Sequence, residues 1–175
     1  MAKTLWTWGR NTNGQLGLGN ATAMSSPTQV GALTTWSSVA CGFYHTVATD
    51  TDGKLWTWGR NNYGQLGLGN ATNMSSPNQV GALTTWLSVA CGGYHTVATD
   101  TAGKLWTWGY NNYGQLGLGN ATNMSSPTQV GALTTWSSVA CGGYHTVGLQ
   151  DVAAPGNLAT LKTWGGVAKA AVKTI

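Results

Sequence analysis

The 175-residue chain has no glutamate, a single phenylalanine, four prolines and few charges, eight Lys/Arg against four Asp. Each scarcity excludes something. A disordered chain would be charge-rich and poor in aromatics, so this composition belongs to a folded one. Without glutamate, and with Asp50, Asp52, Asp100 and Asp151 in turn-like stretches, paired carboxylates for general acid–base chemistry have almost no candidates. His45, His95 and His145 each stand alone in the same "YHT" triplet and read as structural residues rather than members of a catalytic set. Cys41, Cys91 and Cys141 occupy one repeat position and lack the local spacing of a zinc site or a disulfide framework. "SVAC" reads instead as a small buried thiol on a strand. The expectation is a protein that is not an enzyme, with no catalytic residue, cofactor or metal ligand.

Long apolar runs are also missing. No stretch approaches the ~18 apolar residues of a membrane helix, and "MAKTLWTWG" has no apolar signal-peptide core. The expected location is a virion or the cytoplasm, and the three Asn-Ala-Thr sequons at Asn20, Asn70 and Asn120 read as turn residues. The net charge is +4, but Lys3, Arg10, Lys54, Arg60 and Lys104 are single and far apart, which disfavours a nucleic-acid partner.

What the chain has is glycine (26), tryptophan (10) and repetition. Residues 5–50 match 55–100 at 40 of 46 positions, and 55–100 match 105–150 equally well. A 50-residue period signals stacked repeats of propeller or solenoid type, each too short to bury its own faces. The expected organisation is three such units over 1–150, followed by a linker and tail over 151–175.

Each unit reads as four extended segments: "TQVGAL" from Thr28, "WSSVACG" from Trp36, "YHTVATD" from Tyr44 and "KLWTWGR" from Lys54. Gly, Thr, Trp and Val dominate and no 3.6-residue period persists, so the class is all-β. Asp52-Gly53 between two strand-like runs predicts a hairpin. Alternation places Trp6 and Trp8 on one face, where such rings suit a core between units. Trp36, Trp86 and Trp136 fit either a core or an aromatic platform for sugars or bases. "GQLGLG" lacks the Lys-Ser/Thr of a phosphate loop and opens no helix, so it reads as a tight turn. "NATNMSSP" then reads as an exposed polar excursion ending at Pro77, the kind of loop on which a scaffold carries binding.

The motif "GKLWTWGxNxxGQLGLG", then "PxQV", then "VACGGYHTVA", spread over residues 3–148, resembles the repeat of the regulator of chromosome condensation family. That resemblance implies a β-propeller of four-stranded antiparallel blades with a structural histidine in each. It also raises the chromatin-binding and small-GTPase exchange activities of eukaryotic relatives, for which no residue here can be matched. The expected fold is a partial propeller of about three blades. Propellers close with ~4–8 blades, so closure by oligomerisation is expected, with Leu5, Trp6 and Trp8 as an inter-chain strand in a head-to-tail homo-oligomer.

The tail segment "LATLKTWGGVAKAAVKTI" resembles short pieces of phage and virus structural proteins, and reads as a hairpin or an Ala/Lys-rich helix. Its "LKTWGG" also offers an intramolecular strand partner. The functional expectation is a structural or interaction scaffold in a virion or surface assembly, its partners other structural proteins or copies of itself. A module binding glycans or proteins is the alternative. Positions that vary between the units mark the candidate binding loops: Arg10, Arg60 and Tyr110; Asn13, Tyr63 and Tyr113; and Asn73 and Asn123.

Overall fold

A computed structural model describes residues 2–152. The described chain is built of strands: β1 (Trp6–Gly9), β2 (Met24–Gln29), β3 (Trp36–Cys41), β4 (His45–Asp50), β5 (Leu55–Gly59), β6 (Met74–Gln79), β7 (Trp86–Cys91), β8 (His95–Asp100), β9 (Leu105–Gly109), β10 (Met124–Gln129), β11 (Trp136–Cys141) and β12 (Thr146–Gln150). No described helix is long and apolar enough to cross a membrane. The tail's expected hairpin or helix, and the strand offered by residues 161–166, lie outside the described residues.

Two antiparallel sheets have four strands each, β3-β4-β5-β6 and β7-β8-β9-β10, while β1-β2 and β11-β12 are separate two-stranded sheets. This is a partial propeller of meander blades. Blade and repeat are out of phase: each complete blade takes two strands from the end of one repeat and two from the start of the next.

The turn chemistry sets the hairpin at the middle of each blade. Asp50 Oδ1 accepts the backbone N–H groups of Asp52 (3.0 Å) and Lys54 (2.9 Å), and Gly53 donates back to the Asp50 carbonyl. β4 and β5 then pair in register from Thr49↔Leu55 to His45↔Gly59. Asp-Gly predicts this hairpin and the structure has it.

The outer strand departs from expectation. "LWTWG" is the third strand of a blade, not the last, and the strand expected to follow the proline runs Met24–Gln29 and contains Pro27. Its copies β6 and β10 contain Pro77 and Pro127 in the same way. The β5–β6 ladder jumps from Thr57↔Asn78 to Gly59↔Met74, which places Pro77 inside a bulge of an outer strand. There a missing N–H costs the ladder nothing. Half of the expected polar excursion is therefore strand.

Alternation is also overridden. Leu55, Thr57 and Trp58 are all buried, because stacked blades cover both faces of β5. Trp58 packs with Leu5, Val30, Trp36 and Ala48, and Trp108 with Val47, Leu55, Val80, Trp86 and Ala98. Trp36 meets Trp56 and Trp58 edge-on at 6.2 and 6.0 Å, and Trp86 repeats this with Trp106 and Trp108. Edge-to-face pairs contribute about 0.5–1.5 kcal/mol each beyond area burial. The question left open for Trp36 and Trp86 is thereby decided: both are core residues, and only Trp136, on the half-blade, is half-buried.

Polar clamps join blade to blade. The Gln15 carbonyl accepts from Thr46 Oγ1 (2.8 Å) and Trp58 Nε1 (2.9 Å), and the Gln65 carbonyl does the same for Thr96 and Trp108. His45 Nε2 bonds Thr96 Oγ1 at 2.9 Å and His95 Nε2 bonds Thr146 Oγ1 at 3.0 Å. Burial, then the next histidine along, lowers His45 to about 3 and His95 to about 4, so both are neutral at pH 7.

The thiols are less enclosed than expected. Cys41 is exposed and Cys91 and Cys141 are half-buried. Cys91 Sγ reaches the Ala40 carbonyl of the preceding blade at 3.6 Å, whereas Cys41 is preceded by a half-blade that contains only outer strands. Burial first, then Cys41 and Cys141, pushes the Cys91 thiol up, and burial raises Cys141 to about 11.

Candidate functional site

The ends of the blades differ chemically. At the Asp50–Lys54 end sit the turns with their carboxylates and lysines, including the Lys54–Asp52 ion pair at 3.1 Å. At the other end, where β4 begins and β5 stops, the backbone N–H of Arg60 bonds the Tyr44 carbonyl, and that of Tyr110 the Tyr94 carbonyl. The tripeptide before each second strand and the residue after each "WTWG" are thus brought side by side, blade after blade.

The result is a continuous row of aromatic rings. Tyr44 lies 5.7 Å from Tyr94, which lies 6.0 Å from Tyr144. Tyr63 stands against Tyr94 at 5.6 Å and Tyr110 at 4.8 Å. Tyr113 stands against Tyr144 at 5.6 Å and Tyr110 at 6.0 Å. Phe43 caps Tyr44 and Tyr94 edge-on. Phe43 and Tyr113 are 59% and 72% exposed, so the row is open to solvent.

Two guanidinium groups lie on these rings. Arg10 is 5.1 Å from the Tyr44 centroid, and Arg60 sits within 5.5 to 5.9 Å of Tyr44, Tyr63 and Tyr94. Neither forms an ion pair among the described residues. A guanidinium on a ring face keeps its edge N–H groups available; Arg10 Nε donates to Thr12 Oγ1 at 3.0 Å, which leaves its terminal N–H groups for a carboxylate. Desolvation, then Tyr44 and Tyr144, pushes the Tyr94 phenol up, with Arg60 acting against it; Tyr110 moves the same way through desolvation, Tyr113, Tyr63 and Tyr144. These phenols remain neutral hydrogen-bonding groups at pH 7.

The structure places five of the sequence-derived candidates, Arg10, Arg60, Tyr63, Tyr110 and Tyr113, on this one face. The asparagines sit elsewhere. Asn73 Oδ1 accepts the backbone N–H of Asn61 (2.7 Å), and Asn123 does the same for Asn111, so both brace the loop from within. Asn13 occupies the backbone position of Tyr63, its N–H on Gln15 Oε1, but brings no ring. Leu5 is buried in its own chain, and Trp6 and Trp8 are 49% and 60% exposed.

Sequence reasoning missed Phe43, Tyr44, Tyr94 and Tyr144. The tyrosine of "YHT" is the same in every unit, so a search among varying positions passes over it. The Phe43/Gly93/Gly143 difference was a signal in plain view. Among the described residues no group of three or more His, Cys, Asp or Glu side chains is arranged to hold a metal ion.

The model of the regulator of chromosome condensation (RCC1) repeat matches residues 4–49, 52–99 and 102–149, and a second RCC1 repeat model matches 36–65 and 86–115. Among solved structures, Prp20p from Saccharomyces cerevisiae, studied with its binding to Gsp1p and histones, is 24% identical with a TM-score of 0.76. The match covers 85% of this chain and 40% of that one. Yeast RCC1 (Prp20) bound to Kap60 is 25% identical over 85% of this chain and 39% of that one, again with a TM-score of 0.76. Human WBSCR16 is 21% identical, covering 85% and 54% of the two chains, with a TM-score of 0.60. This chain therefore spans well under two thirds of the length of these neighbours.

Proposed function

The chain belongs to the regulator of chromosome condensation repeat family, and from that premise we propose that it is a non-enzymatic interaction scaffold that binds a protein segment on its tyrosine and arginine face. The observation that carries the reading is the open row of seven rings with Arg10 and Arg60 laid upon it. Tyr and Arg are enriched in protein-binding hot spots: Tyr combines large contact area and a polar tip with few rotatable bonds, and Arg offers a planar fork of N–H donors. All carboxylates of the described residues lie at or beyond the opposite ends of the strands, so this face is locally cationic and favours a segment with Asp or Glu beside apolar or aromatic residues.

Protein partners also fit the neighbour Prp20, crystallised with Kap60 and studied for its binding to Gsp1p and histones. Incorporation into a virion or surface particle is the finer part of the proposal, supported by the resemblance of tail residues 158–175 to short pieces of phage and virus structural proteins. The test is a peptide-display selection against the intact chain, repeated with Arg10→Ala/Arg60→Ala/Tyr113→Ala. Acidic, aromatic peptides should be enriched and should bind the variant at least about 30-fold more weakly, the loss of one hot spot. Absence of enrichment, binding indifferent to the three substitutions, or binding to a glycan array in place of peptides would reject it.

A further inference from the structure

The two half-blades are complementary. β1-β2 has the third and fourth strands of a blade and lacks the first two; β11-β12 has the first two and lacks the others. Among the described residues the outer edge of β12 and the inner edge of β1 carry no partner strand. We propose that β1 of a second copy pairs with β12, so that two chains close head to tail into one six-bladed ring.

The two complete blades specify the junction. Their β4–β5 and β8–β9 ladders give the register directly: Gly9 opposite His145, Trp8 opposite Thr146, Thr7 opposite Val147, Trp6 opposite Gly148 and Leu5 opposite Leu149. Two of the side chains concerned are exposed here and buried in their copies. Trp8 is 60% exposed where Trp58 and Trp108 are fully buried, and Val147 is 57% exposed where Val47 and Val97 are fully buried.

The receiving cradle is present and has no occupant among the described residues. Gly17 and Gly67 sit so close to Trp58 and Trp108 that an added Cβ would lie 2.8 Å from the indole nitrogen; at Gly117 the same atom would meet only Val130, at 3.6 Å. Gly14 and Gly64 press on Ser75 and Ser125, while Gly114 faces open space. Gly19 and Gly69 donate to the carbonyls of Ser75 and Ser125, a bond for which Gly119 has no counterpart. A pocket of about 330 Å³ marks the spot, lined among others by Gln115, Gly117, His145 and Thr146. The Gln115 carbonyl already holds Thr146 Oγ1, as Gln15 and Gln65 hold Thr46 and Thr96. Trp8 of a second copy supplies the missing indole and its Ser25 the missing carbonyl.

On the donor side, Gly9 keeps the +104° φ of Gly59, yet nothing lies within 4 Å of the place where Gly59 meets Tyr44 and His45. Closure also completes the aromatic face. Arg60 lies over the tyrosine of its own blade and that of the next. Arg10 lies over Tyr44 alone, and the junction places it over Tyr144 of the second copy as well. The third unit's departure fits too: Gln150 stands where Asp50 and Asp100 accept the Trp56 and Trp106 indoles, and its Oε1 can accept from Trp6.

Stoichiometry follows from counting. The described residues of each copy contribute two blades and two halves, so rings closed through them contain multiples of three blades. Only six falls within the ~4–8 blades that propellers use. The contact is heterologous and closes on itself at two copies.

The experiment measures the mass of the full chain by light scattering across a concentration series. Wild type should show twice 18.2 kDa. Trp8→Arg and Val147→Lys, at side chains exposed in the single chain, should each keep the β-sheet circular dichroism but weaken the pair at least about 100-fold, since each spoils both junctions. Mixing the two variants should restore a two-chain species, because Val147→Lys retains an intact β1 and Trp8→Arg an intact β12. A single-chain mass for wild type, as self-coverage of β12 by residues 161–166 would give, overturns the proposal. So does a doubled mass that survives both substitutions, or a mixture that stays single.

Discussion

Replacing Gly67 by alanine tests the inter-blade clamp with one methyl group. Gly67 has a φ of +71°, in the left-handed region, where a Cβ costs about 1–2 kcal/mol. It also lies against Trp108: the added atom would sit 2.8 Å from Nε1 and 3.1 Å from Cδ1. Trp108 is fully buried and bonded to the Gln65 carbonyl at 3.0 Å, so it cannot retreat without losing that bond. Overpacking of this kind costs about 1–3 kcal/mol, and the hydrogen bond adds about 1 kcal/mol. The sum is roughly 3–6 kcal/mol. Gly81→Ala is the control, because Gly81 has a φ of +56° and nothing within 4 Å, leaving only the backbone term. Urea denaturation followed by tryptophan fluorescence should show Gly67→Ala less stable than Gly81→Ala by about 2–4 kcal/mol, with similar slopes. Equal losses would refute the clamp. Gly117→Ala has the same φ class with an open cradle. It should resemble Gly81→Ala in dilute solution and lose more as concentration rises, when Trp8 of a second copy occupies that space.

Two further predictions concern buried polar groups. His45 and His95 are held neutral, lowered to about 3 and about 4, while unfolded histidine titrates near 6.5. Their stabilisation is complete above pH 6.5 and is lost as pH falls toward the folded values, by up to about 1.4 kcal/mol per pH unit for each histidine. Unfolding free energies measured from pH 7 to 4.5 should fall along that slope, and a flat profile would contradict the burial. Asp100 accepts the backbone N–H groups of Ala102 and Lys104 and the Trp106 indole. Asp100→Ala should cost about 2–3 kcal/mol in thermal unfolding, and Asp100→Asn less, since Oδ1 can still accept the two backbone donors.

The amino-acid sequence by itself determined the unit and its local chemistry. The 50-residue period, the absence of helical periodicity and the glycine turns at Asp52-Gly53 and Ala102-Gly103 suffice for a propeller-type meander, because turn geometry and strand preference are properties of neighbouring residues. What depends on contacts between residues distant in the sequence was decided by tertiary structure. The blades fall out of phase with the repeats because β5 must pair with β6 across the glycine loop, a choice that local pattern does not express. Trp36 is core because Trp56 and Trp58 arrive beside it, and Thr57 is buried because a neighbouring blade covers the face that alternation would leave wet. The tyrosine row is the clearest case. Arg10, Arg60, Tyr63, Tyr110 and Tyr113 were visible as varying positions, yet Tyr44, Tyr94 and Tyr144, identical in every unit, join them only where one strand's start meets another's end. A repeat shows in sequence what each unit contains; only stacking shows which parts of different units share a face.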